Sequence, residues 1–253
     1  MSGVAPGMDS AFDTARRKAT VSQLRRFLPG ADATATELLR FEDAVAALGR
    51  DGEIDEGRRE VEVSSIVGSV ARAGDFDRLF RPRHDHLRER WEHVAQRFGD
   101  LPPVSLVRLG DLYFVEDGHH RVSVARARGV PIIHAHVHRV RTVACASRSL
   151  TVADLPQMHA QRMLFERIPL PDDARIGFRL DCPDDWRRLA DAAEAWGFRQ
   201  SLDGRVLPGR CELADAWWRE EVAPMAERLR ARGIVSSDND LITYLAGAES
   251  LAD

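Results

Sequence analysis

The chain has 253 residues, 44% of them hydrophobic and 30% charged, with a formal net charge of −4. That composition belongs to a folded globular protein, excludes wholesale disorder and gives no global basic footprint for nucleic acid. No apolar run reaches the roughly 20 residues that span a bilayer, and Met1 to Ser10 lacks the basic start and apolar core of a secretory signal, so no membrane partner and a cytoplasmic location are expected. The charge is uneven: residues 101–150 hold seven arginines against three acids, whereas residues 151–253 hold 13 arginines against 19 acids. Cys145, Cys182 and Cys211 are odd in number and form no Cys-x-x-Cys pair, which argues against a disulfide framework or a structural zinc.

Taken in chain order, Asp9 or Ser10 can cap a helix over about 11–28 that stops before Pro29. Thr34 or Thr36 can cap a second helix through Leu38, Leu39, Val45 and Leu48, closed by Gly49. Arg50 to Glu53 reads as a turn. Val61 and Val63 alternate with polar residues and predict a half-buried strand, followed by a loop from Gly68-Ser69 to Arg72. Leu87, Trp91, Val94, Ala95 and Phe98 recur at steps of three and four, an amphipathic helix over 84–98. Val104–Leu109 and Leu112–Val115 are short apolar strands joined by Gly110-Asp111, a tight hairpin. A helix through Val122, Val124 and Ala125 follows, ended by Gly129, and Val130–Val140 is a further strand. Beyond Leu150 the pattern is helical: Asp184 to Gly197, Glu212 to Arg232 closed by Gly233, and a last short helix around Leu241 and Tyr244. The fold class expected is α+β, a small mixed sheet covered by helices over 58–145, flanked by an N-terminal helical region over 1–57 and a mainly helical region over 146–253.

The chemistry concentrates in Asp117-Gly118-His119-His120-Arg121, at the start of the helix that follows the hairpin. A helix N-terminus leaves backbone N–H groups unpaired and carries partial positive charge, and a glycine lets an anion come close. Gly118 stands at that place. Arg121 can fork onto phosphate oxygens, and His119 and His120 are hydrogen-bonding groups able to change charge near neutral pH. Asp117 leaves three readings open: an N-cap, a ligand to Mg²⁺ bridging to a nucleotide, or a base that activates a hydroxyl.

Tyr113 to Gly129 resembles the signature of the ParB/sulfiredoxin superfamily (the ParB-like nuclease domain family), in which a strand runs into Gly-x-x-Arg at a helix start. Val61 to Arg72 is similar to that family's first motif, a strand and a loop ending in arginine. The likeness covers about residues 58–140. It implies nucleotide binding, with ADP, ATP or CTP as the nucleotide and phosphate contacts from Gly118, His119, His120 and Arg121, joined by Ser69 and Arg72 from the first motif. Sulfiredoxins carry a catalytic cysteine in this turn; His119 and His120 stand there here, which removes sulfinic acid reduction. The Asp-Gly-His-His-Arg form resembles the free serine kinase branch. On that comparison Asp117, His119 and His120 are the catalytic candidates, with Asp117 as Mg²⁺ ligand or base. The kinases' serine-binding residues have no match here.

Two functions from different classes follow: a Mg²⁺-dependent phosphotransferase or nucleotide hydrolase, and a non-catalytic, nucleotide-responsive regulator or DNA-associated adaptor of the chromosome-partitioning kind. Arg126, Arg128, Arg139 and Arg141 are the residues for DNA phosphate, although the acidic net charge does not favour that partner. A homodimer is compatible with Trp217-Trp218, of which one ring belongs in a core and the other can pack on the central domain or on a second subunit. His134, His136 and His138 share one strand face and read as a metal set or a wet sheet face. His84-Asp85-His86 reads as a capped, solvated turn in preference to a ligand set, and Asp75 and Asp77 as turn caps or as carboxylates completing a Mg²⁺ or base site.

Overall fold

The computed structural model describes residues 8–25, 36–144, 150–175, 178–234, 237 and 239–250. Two compact units divide the chain, Met1–Leu155 and Pro156–Asp253. Pro29, Thr34 and Cys145 lie outside the described residues.

The first unit opens with α1 (Met8–Arg25), so Asp9 and Ser10 sit inside the helix and do not precede it. Leu38 and Leu39 were expected in a helix; Leu39–Arg40 instead forms β1, an edge strand, and α2 (Phe41–Leu48) begins after it, closed by Gly49 at φ 76°. β2 (Glu53–Glu62) begins at the last residue of the expected turn, Arg50 to Glu53, and ends at Glu62, so Val61 is in a strand as expected while Val63 is not. The side chains of β2 are almost all charged or exposed, and it is held by antiparallel pairing along β6 (Ile132–Val140). A charged edge strand of this kind hides from hydrophobic periodicity and resists edge-to-edge association. A boundary at 57/58 therefore falls inside one strand, and residues 39–40 and 53–57 belong to the same sheet as the rest of the unit.

After a 3-10 turn at Val63–Ser65, β3 (Ile66–Ser69) enters the sheet interior. Gly68 lies against Phe114 there, 2.3 Å from where its own Cβ would be, so no side chain fits. A second 3-10 turn at Asp85–Leu87 leads into α3 (Arg88–Gln96), then β4 (Val104–Leu109), β5 (Leu112–Asp117), α4 (His119–Ala127) and β6, much as the sequence predicts. The sheet has six strands in the order β1-β3-β5-β4-β6-β2. β3 runs parallel to β1 and β5, β4 is antiparallel to β5 and parallel to β6, and β2 is antiparallel to β6. The α+β class with a mixed sheet and covering helices is what the structure has.

The core holds Phe76, Phe80, Trp91, Leu106, Val115, Val122 and Val137, packed as one cluster. Each such side chain stabilises by about 1.5–3 kcal/mol when fully buried. Trp91 fixes three elements: its indole N–H donates to Ser123 Oγ of α4 at 2.9 Å, and its ring meets Phe12 of α1 edge-on at 5.7 Å.

The second unit is helical. It contains α5 (Leu155–Arg167), α6 (Asp172–Arg175), α7 (Pro183–Leu202), α8 (Arg210–Trp217), α9 (Ala223–Ala231) and α10 (Asp240–Ser250). α7 runs through Gly197 to Leu202, because Gly197 serves packing and not termination: a Cβ there would stand 2.4 Å from Leu213 of α8. Asp184 lies in the first turn of α7 and Cys182 at its N-cap. The long helix expected from Glu212 to Arg232 is present as one continuous helical run from Arg210 to Ala231, widened to a π turn at Trp218–Val222, just before Pro224. Proline cannot donate to the preceding turn, and the wider turn absorbs that missing bond. Trp217 is fully buried against Tyr244, with ring centroids 5.6 Å apart, while Trp218 is half-buried. Cys182 and Cys211 are free thiols. Among the described residues no helix is long and apolar enough to cross a membrane.

Candidate functional site

β3 and β5 are parallel neighbours, with Ser69 opposite Val115. Both strands therefore end on the same edge of the sheet, where ligands of open sheets gather beyond the carboxyl ends of strands. This register brings the loop ending at Arg72 beside the turn at Asp117–Arg121.

β5 ends at Asp117, and Gly118 then turns the chain into α4 with φ 98° and ψ 24°, the left-handed region. Two constraints select glycine. The dihedral disfavours any L side chain, and a Cβ would stand 2.6 Å from Val104 Cγ1 and 2.9 Å from Arg121 Nε. Gly118 is itself the N-cap, and α4 receives no side-chain cap bond. Asp117 is thus not the cap, which removes one of its three readings: its carboxylate accepts from Arg121 Nη2 at 2.6 Å and is 76% exposed.

Arg121 lies with its guanidinium largely covered. Nη1 donates to the carbonyls of Pro102 and of Pro103, the latter at 2.8 Å, so Arg121 straps the first turn of α4 to the segment before β4. The Arg72 side chain is half exposed and 3.8 Å from Asp75, and its backbone N–H donates to Ser69 Oγ at 2.8 Å.

Ser69 and His119 form a buried pair, Oγ to Nε2 at 2.7 Å. Ser69 is 1% exposed and already accepts from Arg72, so it positions His119 and Arg72 from behind and does not line the cavity. The serine hydroxyl is best satisfied by donating to Nε2, which puts the ring proton of His119 on Nδ1. Phe76 packs on both histidines, stacked on His119 at 6.2 Å and edge-on to His120 at 5.5 Å. Both rings are nearly closed to solvent. Burial, then the charge of Arg72, pushes each from an ordinary 6.5 down to about 4. The expectation that they change charge near neutral pH is therefore corrected: both are neutral there. His120 Nδ1 is buried and has no hydrogen-bond partner.

A cavity of about 660 Å³ opens on this turn. Arg72, Arg90 and Arg121 line it against Glu116 and Asp117, together with His119 and His120. Arg90 and His86 were not foreseen as site residues, and nothing local in the sequence separates Arg90 from the other charges of α3. Phe76 was equally unmarked.

The other candidates, His86 apart, lie elsewhere. His136 accepts from Arg58 Nε at 3.4 Å, His138 pairs with Glu53 at 2.9 Å and His134 with Glu60 at 3.9 Å, all across the β2–β6 ladder and away from this cavity. Asp77 is 1% exposed and ties its own turn, accepting from Leu79 N, Arg81 N and Arg81 Nε. His84 and His86 stack at 5.4 Å, and Asp85 meets Arg16 at 2.5 Å. Among the described residues no three His, Cys, Asp or Glu side chains converge to hold a metal. A Mg²⁺ ion commonly takes one or two carboxylates and the oxygens of a substrate phosphate, so an ion at Asp117 fits only as part of an incoming nucleotide, not as a resident group. No family model, no curated protein and no solved structure matches the chain.

Proposed function

We propose that the first unit binds a nucleotide of the ADP, ATP or CTP kind, its phosphates on the Gly118 turn, in a domain of ParB/sulfiredoxin type. One observation carries the reading: α4 opens without a side-chain cap into a cavity lined by three arginines, where the buried Nδ1 of His120 has no partner. Unpaired N–H groups, the helix dipole and a glycine that permits close approach make an anion site. Arg72 is the side chain best placed to meet phosphate, being half exposed and held by one loose ion pair. His119 and His120 act as neutral hydrogen-bonding groups.

Two modes of use remain in view. In a phosphotransferase or nucleotide hydrolase, Asp117 leaves Arg121 to act as base or to meet Mg²⁺ on the nucleotide. In a regulator, the nucleotide acts by its occupancy alone; the Asp117–Arg121 bond, which holds the only acid of the turn on a cation, favours this second mode. A DNA-associated role draws little support. Arg126 and Arg128 donate to backbone carbonyls, Arg139 pairs with Glu56 and Arg141 with Asp51.

Calorimetric titration with ADP, ATP and CTP, with and without Mg²⁺, tests the reading on wild type and Arg72→Ala. Loss of a charge-assisted contact is expected to weaken binding by about 1.5–3 kcal/mol. Absence of binding by any of the three nucleotides overturns it. Release of phosphate, or its transfer to small hydroxyl compounds, decides for the enzyme.

A further inference from the structure

Away from the Gly118 turn, the first unit contains a larger cavity of about 940 Å³. Its walls are mainly apolar, with Ala15 of α1, Phe80, Val130 and Ile132 among them. Leu79 and Ile132, both on its lining, are 52% and 48% exposed, so apolar surface continues to the mouth. Three cations face it, Lys18, Arg81 and Arg126, against one carboxylate, Glu62.

The three cations differ. Arg81 is neutralised by Asp77, which is 2.7 Å away. Arg126 is not neutralised. Its guanidinium donates to the carbonyls of Arg78, Val63 and Ile66 at 3.3, 3.0 and 2.6 Å and lies over the Phe80 ring at 5.4 Å. Asp77, whose charge acts on it, is spent on Arg81 and two backbone N–H groups. Nε of Arg126 is buried and unpartnered. Carbonyl oxygens hold a guanidinium in place without cancelling its charge, and interior charges are ordinarily paired. Burial accordingly pushes Arg126 down to about 10. Lys18, the chain's single lysine, faces the same cavity and has no ion-pair partner among the described residues. Phe80, at φ 56°, keeps a left-handed backbone beside them, a strained geometry that favours a functional role.

We infer that this cavity binds a small amphipathic carboxylic acid, its hydrocarbon body on the apolar walls and its carboxylate offsetting the unneutralised charge of Arg126, with Lys18 assisting. The volume suits one such molecule. A single half-buried cation without an ion-pair partner calls for a monoanion, and the apolar walls call for a ligand with a substantial hydrocarbon part. The site is separate from the nucleotide reading and does not rest on it.

The test uses the full chain and a matched pair of probes, decanoate and decanol, below their aggregation concentrations, followed by calorimetry. Decanoate is expected to bind at least about tenfold more tightly than decanol, the worth of one charge-assisted contact. Lys18→Met changes an exposed side chain and is expected to weaken decanoate about threefold while leaving decanol unchanged. Ala127→Phe, at an exposed residue on the lining, fills the cavity and is expected to abolish binding of both. Equal affinity for the two probes, no binding of decanoate, or undiminished binding by Ala127→Phe overturns the proposal. Sedimentation of the same samples adds one more outcome: if Ala127→Phe changes the association state and decanoate does not bind, the cavity is an interface between copies and the proposal is overturned.

Discussion

Asp117 and Arg121 stand one helical turn apart and are joined at 2.6 Å across the uncapped N-terminus of α4. The bond places a carboxylate beside the proposed phosphate site and, at the same time, holds that carboxylate on a cation. Because Asp117 is 76% exposed, the pair contributes at most about 1 kcal/mol to stability. Its importance is for what the turn can bind.

Asp117→Asn is therefore expected to melt within a few degrees of wild type and to bind nucleotide several-fold more tightly in the absence of Mg²⁺, since a like charge is removed from the phosphates. Calorimetry with and without Mg²⁺ checks this. Weaker binding confined to the Mg²⁺ titration would show that the carboxylate serves the metal.

Gly118→Ala combines a left-handed φ of 98° with a Cβ 2.6 Å from Val104 and 2.9 Å from Arg121. The dihedral alone costs about 1–2 kcal/mol, and Arg121 must also release Asp117 or the Pro102 and Pro103 carbonyls. A lower urea midpoint with an unchanged slope, together with loss of nucleotide binding, is expected. Wild-type stability would show that the turn relaxes freely.

Ser69→Ala removes a buried hydroxyl that pairs with buried His119 Nε2 and accepts from the half-buried Arg72 N. Leaving buried polar groups unpaired costs about 1–3 kcal/mol. Chemical denaturation reads this directly. A change below about half a kcal/mol would mean that water replaces the hydroxyl.

The two histidines set an acid limit on stability. Each falls from an ordinary 6.5 to about 4 in the folded chain. A histidine kept neutral by burial contributes stability that is fully present above the unfolded value. That contribution is lost as pH falls through the window between 6.5 and about 4, because the unfolded chain binds the proton first. Each histidine adds a slope of about 1.4 kcal/mol per pH unit there. His119→Gln and His120→Gln are each expected to flatten the acid limb of a stability–pH curve. An unaltered limb in both would show that the rings are hydrated in solution.

Local chemistry made much of the first unit readable. The β4–β5 hairpin, its Gly110-Asp111 link, α4 and the Gly129 stop all rest on neighbours in the chain, so composition and spacing suffice. So does Gly118 at the helix start. Most of β2 was not readable, because Glu53 to Glu62 is charged nearly throughout and becomes a strand only by pairing with β6, about 80 residues away in the chain. The same holds for Leu38 and Leu39, whose apolar side chains suit a helix as well as a strand until β3 is beside them.

Sequence by itself determined that a glycine and an arginine stand at the start of a helix, the turn on which the proposed phosphate site rests. Tertiary structure alone decided what surrounds it. The parallel register of β3 and β5 sets Ser69 and Arg72 against His119, though they are about 50 residues apart in the chain. Packing of α3 against α4 brings Arg90 to the same cavity. Burial beneath Phe76 keeps His119 and His120 neutral where their unperturbed titration would make them partly charged. Asp117, whose role the sequence left open, is placed on Arg121 by a hydrogen bond that neither residue type nor spacing could assign, because the same carboxylate was free to cap the helix had Gly118 not turned left-handed and taken that position itself.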